Sequence, residues 1–209
     1  FFHHLMAQGH DAYVTPMLFR LDSEALLNAA LAATQQVVER HDVLRTLVLW
    51  ERLPKPVQVV CRNVSLTLEY IETDATRSVR EQMLELCAPE RQWLDLGTAP
   101  LLRLRAAREA STGAVYLLAQ MHHLIDDATS LQLLMDEITA VMSGRQAEGA
   151  AGAYRDFVAH ALSQAERAES DDFFRAMLGD VDTPTLPFGL ADVHGDGSAV
   201  HEARLQLRS

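Results

Sequence analysis

The sequence contains no uninterrupted apolar run of the roughly 18 residues that a membrane-spanning helix requires, so no such helix is expected. Basic residues are scarce and never cluster. Eighteen Lys and Arg stand against 29 Asp and Glu, and the resulting formal charge of −11 argues against nucleic acid or an anionic membrane as a partner. Cysteine is nearly absent: Cys61 and Cys87 have neither metal-ligand spacing nor the density of a disulfide framework. Two reduced, partly buried thiols in a cytoplasmic protein are expected instead. A GxSxG elbow is missing, which removes the serine-hydrolase class, and no Walker or dinucleotide glycine pattern offers a nucleotide cradle. Repeats and low-complexity tracts are also missing. The first residues lack the basic segment and apolar core of a signal peptide. The chain starts at Phe1 rather than at a methionine, so a piece of a longer or processed protein is expected.

What is present is an ordinary globular composition. The 209 residues are 48% hydrophobic and 22% charged, compatible with one domain and a sizeable core. Alternation predicts a strand over residues 13–21, with Pro16 favouring an edge or early position. Asp22 and Ser23 are N-cap residues for a helix whose apolar face, Leu27, Ala30, Leu31, Thr34, Val37 and Val38, runs to Arg40. Strands are expected at 44–50, 57–61 and 66–71, then a helix over 76–87 and a hairpin of 101–107 with 115–121 across Ser111-Thr112-Gly113. Leu131, Leu134, Met135, Ile138, Val141 and Met142 mark a further amphipathic helix. Residues 143–152 read as a surface loop, 154–168 and 171–178 as helices, 180–198 as an irregular crossing segment and 201–207 as a last strand. The mixture lacks strict βαβ alternation and implies an α+β fold, a two-layer sandwich.

The chemistry concentrates in Met121-His122-His123-Leu124-Ile125-Asp126-Asp127, which ends one strand and precedes a helix. A rigid scaffold can aim titratable groups from such a junction. His123 is the foremost candidate, since imidazole can accept and return a proton near neutral pH; its bland alternative is a hydrogen-bonded, inert histidine. Consecutive strand residues face opposite ways, so His122 is expected to face inward and serve structure if His123 faces a substrate. Asp127 can cap the following helix. Asp126 is expected to be a solvated neighbour, and His3, His4 and His10 to be exposed at the N-terminus. Two histidines and an aspartate are zinc-ligand types, but opposed side chains disfavour joint ligation, so no metal is expected. Trp50 and Trp93 read as packing residues.

This segment resembles the HHxxxDG motif of condensation domains of nonribosomal peptide synthetases, within the chloramphenicol acetyltransferase-like superfamily. His122, His123 and Asp127 match the motif, whereas Ala128 replaces its glycine, so the turn must be one an L-residue tolerates. Four other segments match in the family's order. Residues 38–46, with Arg40, His41, Leu44, Arg45 and Thr46, resemble RHxxLRT, and Pro56-Val57-Gln58-Val59-Val60 resembles the next strand. Residues 94–103 resemble FDL...PLLR, with Leu94 in place of Phe, and Tyr154-Arg155-Asp156-Phe157 resembles YxDF/Y.

The resemblance implies one lobe of a two-lobed domain, with 1–180 as N-terminal lobe and 181–209 as the crossover and final strand toward a second lobe. It implies acyl transfer from a carrier-bound thioester to a carrier-bound aminoacyl amine, His123 acting as general base or by orienting the amine. Asp127 would form an ion pair with an arginine. Arg45 would be either a surface or interlobe salt bridge or a tunnel residue. No cofactor is implied for the lobe itself, the substrates riding on phosphopantetheine. Implied partners are carrier-protein domains, the second lobe and an adenylation domain. Related alternatives are an epimerisation or dual condensation/epimerisation domain; a different-class alternative is a non-catalytic interaction module.

Overall fold

The computed structural model describes residues 1–6, 9–145, 152–165 and 168–189. The chain divides into two compact units, Phe1–Tyr154 and Arg155–Ser209. The first opens with a short helix, α1 (Phe2–Met6), and then β1 (Val14–Leu21). Ser23 caps α2 (Glu24–Arg40), its hydroxyl accepting from the Leu26 N–H at 3.2 Å. Leu27, Ala33, Val37 and Val38 of α2 are buried, at the spacing of one helical face.

Residues 42–45 form a 3-10 turn rather than the start of a strand. Asp42 and Arg45 explain it: three residues apart, they meet at 2.5 Å only across a helical turn. The strand β2 therefore covers only Thr46–Leu49 and pairs antiparallel with β3 (Val57–Val60) in a separate two-stranded sheet. Next come β4 (Leu68–Tyr70) and α3 (Val79–Glu85), the latter capped by Ser78 and shorter than the expected 76–87. The expected hairpin forms from β5 (Leu102–Arg108) and β6 (Val115–His122), with Gly113 at φ +74° supplying the left-handed residue of its turn. A helix α4 (Ala128–Met142) follows.

The main sheet has the order β1-β6-β5-β4, antiparallel except for the parallel pair β4 and β5. Strand β6 lies between β1 and β5, and all eight of its residues are buried. On one face Val115, Leu117 and Ala119 pack with Leu27 and Leu104, and Met121 packs with Val37, Val38 and residues of α4. On the other, Tyr116 and Leu118 pack with Ala107 and with Met83 of α3. That second face ends in two buried polar groups, Gln120 and His122. Gln120 accepts from Arg103 Nε at 3.0 Å and donates to Gln92 Oε1 at 2.6 Å. Gln92 in turn donates to the carbonyls of Leu86 and Ala88, at 2.8 and 3.0 Å, so the segment after α3 is pinned behind the sheet. Cys61 and Cys87 are both free thiols and half-buried.

The second unit holds all of α5 (Tyr154–Ala165) but its first residue, and α6 (Ala168–Leu178); these helices carry exposed Phe157, Leu162, Phe173, Phe174 and Met177. A 3-10 turn, Pro187–Gly189, lies inside the expected crossing segment. Residues 190–198 of that segment, the expected strand over 201–207 and most of the loop over 143–152 lie outside the described residues. Among the described residues, no helix is long and apolar enough to cross a membrane.

Candidate active site

Strand β6 ends by holding two adjacent histidines in opposite surroundings. The His122 N–H bonds to the Leu101 carbonyl at 3.1 Å, and the His123 N–H to the Tyr13 carbonyl at 2.8 Å. The backbone is thus tied to the β5 side at one residue and the β1 side at the next. Period-two alternation sends the His122 ring into the interior and leaves the His123 ring 44% exposed.

His122 is fixed in one tautomer. The Leu124 N–H donates to its Nδ1 at 3.0 Å, so Nε2 carries the hydrogen and donates to Asp11 Oδ2 at 3.1 Å. Burial lowers the pKa of His122 and outweighs the pull of the Asp11 carboxylate, which agrees with a neutral ring. Asp11 is itself buried and accepts from the Tyr13 N–H at 2.9 Å and from His4 Nδ1 at 2.7 Å. Burial alone would raise the pKa of Asp11; the bonds from Tyr13, His4 and His122 reverse the sign and hold it below the usual carboxylate range. His4 is therefore not exposed as the sequence suggests. It is buried and stacked on Trp93 at 4.2 Å between ring centroids.

The His4, Asp11 and His122 cluster has ligand types suited to a metal, with donor atoms within 4.8 Å of one another. Its separations of 2.7 and 3.1 Å are hydrogen-bond lengths, shorter than the about 3.3 Å between ligand atoms around tetrahedral zinc. Each carboxylate contact already has a ring N–H, so the donor set fits a hydrogen-bonded brace better than an ion.

His123 has different neighbours. Its Nδ1 faces two acceptors, the Asp126 carbonyl and the Asp126 carboxylate, each at 3.4 Å. Its Nε2 lies 3.1 Å from the Thr15 hydroxyl of β1. With Nδ1 protonated toward Asp126, Nε2 is left as the acceptor, positioned at the surface. Asp126 corrects the expectation of a solvated neighbour: its side chain is only 2% exposed, and burial raises its pKa. One carboxylate oxygen has no partner at normal hydrogen-bond geometry. On the same face of β1 and β6, Met17 and Met121 line an apolar cavity of about 220 Å³ between the sheet and the helices α2 and α4.

Asp127 sits at the N-cap of α4, exposed. Its carboxylate accepts from the Ser130 N–H at 2.7 Å, and the Ser130 hydroxyl accepts from the Asp127 N–H at 2.7 Å. These bonds hold the carboxyl below its ordinary range. Among the described residues no arginine bridges Asp127. Ala128 opens α4 in helical geometry, so alanine in place of glycine is accommodated without a positive φ. Arg45 is largely buried away from these groups. It pairs with Asp42 and donates to the carbonyls of Cys61 and Arg62, tying the 3-10 turn to the end of β3.

The sequence thus pointed to His122, His123 and Asp127 but gave no sign of Thr15, Asp11 or His4. Thr15 enters because it is paired with Met121 across the β1–β6 ladder, which puts it diagonal to His123. Only the strand pairing reveals it.

Comparisons with known proteins bear on the family and the fold. A family model described as "Condensation domain" matches residues 1–187. Malpinin synthetase of Mortierella alpina is 41% identical over 208 residues, covering 99% of this chain and 3% of that protein. Malpibaldin synthetase of the same organism is 35% identical over 208 residues, covering 99% of the chain and 4% of its own length. The chain therefore spans a small fraction of these curated relatives. Among solved structures, the starter condensation domain of rhizomide synthetase aligns with a TM-score of 0.67 at 14% identity, covering 87% of this chain and 46% of that one, a likeness of fold.

Proposed function

The chain belongs to the condensation-domain family, and from that premise we propose that it forms peptide bonds by acyl transfer in nonribosomal peptide synthesis. In this reading residues 1–180 are the N-terminal lobe and 181–209 lead to a second lobe that completes the site. The amine of a carrier-bound aminoacyl group attacks the carbonyl carbon of an upstream carrier-bound acyl thioester. A C–N bond forms, the C–S bond breaks, and the amine's proton ends on the departing thiol. Both substrates ride on phosphopantetheine arms of carrier domains, with an adenylation domain in the same cytoplasmic synthetase, and the lobe binds no cofactor of its own.

The observation that carries the proposal is the asymmetry of the paired histidines. His122 is consumed by internal hydrogen bonds, whereas His123 is exposed with Nε2 able to accept a proton. His123 receives the amine's proton or orients the amine's lone pair toward the thioester. Holding two tethered reactants together supplies much of the acceleration. His122 and Asp127 support the turn, the first from within the core and the second as helix cap. Arg45 belongs to the scaffold, where its ion pair shapes the approach to β2.

The test is a single-turnover transfer assay on the intact synthetase carrying His123→Ala. Transfer should fall by about 10²-fold or more, with carrier loading and docking intact. Activity within a few-fold of the parent removes His123 from the mechanism.

A further inference from the structure

We propose that Asp126, which lies outside the matched motif positions, is a positioning residue that sets the tautomer and orientation of His123. The inference rests on the reading of His123 as the proton-handling group. Three features converge. The Asp126 side chain is almost wholly buried, yet one carboxylate oxygen lacks a hydrogen-bond partner of normal geometry. A buried unpaired carboxylate oxygen is costly and calls for an explanation. That oxygen's ion-pair contact is His123 Nδ1 at 3.4 Å, beside the Asp126 carbonyl at the same distance.

Acceptors on the Nδ1 side keep the hydrogen there and present the Nε2 lone pair to the surface, where the Thr15 hydroxyl lies at 3.1 Å. The logic is that of a carboxylate orienting a catalytic imidazole: it fixes the tautomer and stabilises the imidazolium formed when Nε2 takes a proton. The 3.4 Å separations leave room for the bond to shorten as that charge develops. Of the charged groups facing His123, Asp126 comes from the turn and Asp127 from the N-terminus of α4; β1 contributes the neutral Thr15 hydroxyl.

The experiment compares the intact synthetase with its Asp126→Asn, Asp126→Glu and His123→Ala variants, measuring single-turnover transfer against pH, KM for the acceptor carrier and melting temperature. Asp126→Asn should lower the transfer rate about tenfold or more, leave KM and melting temperature undiminished, and move the acidic limb of the pH–rate profile to lower pH. That direction follows because removing a negative charge beside the base makes its protonation harder. Asp126→Glu, which keeps the charge, should restore part of the rate. If His123→Ala is inactive while Asp126→Asn matches the parent in rate and profile, the proposal fails and the role of His123 stands. A rate loss in Asp126→Asn with an unmoved profile and a lowered melting temperature also overturns it, as the mark of a merely structural residue. Should His123→Ala remain active, both readings fall together.

Discussion

Replacing His122 by alanine should cost more stability than any other change in the motif, because its ring is turned into the core. The ring makes two hydrogen bonds in a site 1% exposed: it donates to Asp11 Oδ2 and accepts from the Leu124 N–H. Alanine leaves the Leu124 N–H without its acceptor and removes one of three donors to a buried carboxylate. Each such loss costs about 1–3 kcal/mol. The vacated ring volume, behind a fully buried strand, adds a cavity term, and the overlapping contributions come to about 3–5 kcal/mol. For a chain of this length that corresponds to a fall of roughly 6–20 °C in melting temperature. His123→Ala removes an exposed ring that is bonded to the Thr15 hydroxyl at 3.1 Å and only loosely to Asp126, and should cost under about 1 kcal/mol. Thermal melts of the two variants of the 209-residue chain, run side by side, make the comparison. Equal shifts, or a larger one for His123→Ala, would refute the division of labour drawn from the two burial states.

Asp127→Ala should cost about 1 kcal/mol by removing the α4 cap, less than His122→Ala because Asp127 is exposed; guanidinium unfolding measures the difference. Asp126→Asn should raise the melting temperature at neutral pH while slowing transfer. A carboxyl whose folded pKa is raised contributes fully below its unfolded value of 3.8 and loses that contribution as pH rises through the folded value, so the amide relieves a burden carried at pH 7. For His122, whose folded pKa is lowered, stability is complete above the unfolded value of 6.5 and is lost as pH falls from there through the folded value. Melts between pH 7 and 5 should therefore show a decline that shrinks in a His122 variant. Expressed alone, the chain should fold and not catalyse, which a transfer assay with loaded carriers checks.

Elements with long periodic signals were legible in the sequence. The apolar face of α2 and the continuous run of β6 gave their positions within a residue or two, because burial on one helix face or both sheet faces leaves a pattern in composition. Residues 42–45 did not, since an ion pair between Asp42 and Arg45 turned an expected strand start into a 3-10 turn. Histidine 4 was hidden for a related reason: a five-residue helix carries no period, and the stacking of His4 on Trp93 joins segments almost ninety positions apart. The Asp126 side chain was misplaced because charge predicts solvation, whereas the tight turn from β6 into α4 folds that carboxyl beneath His123.

The doubled histidine acquires its meaning from the sheet rather than from the residues themselves. A strand buried on both faces cannot expose one side chain at its end without turning the preceding one into the core. A polar residue at that preceding position must then find internal partners, and His122 finds them in Leu124 and Asp11. Asp11 stands in the segment just before β1; the same segment supplies the carbonyl of Tyr13 to His123, and β1 itself supplies the hydroxyl of Thr15. The same few residues that anchor the buried ring thus set where the exposed ring sits. Loosening the brace should displace His123 without touching it. Asp11→Asn should consequently slow transfer as well as lower stability, and a variant that loses stability with an unchanged transfer rate would separate the brace from the site.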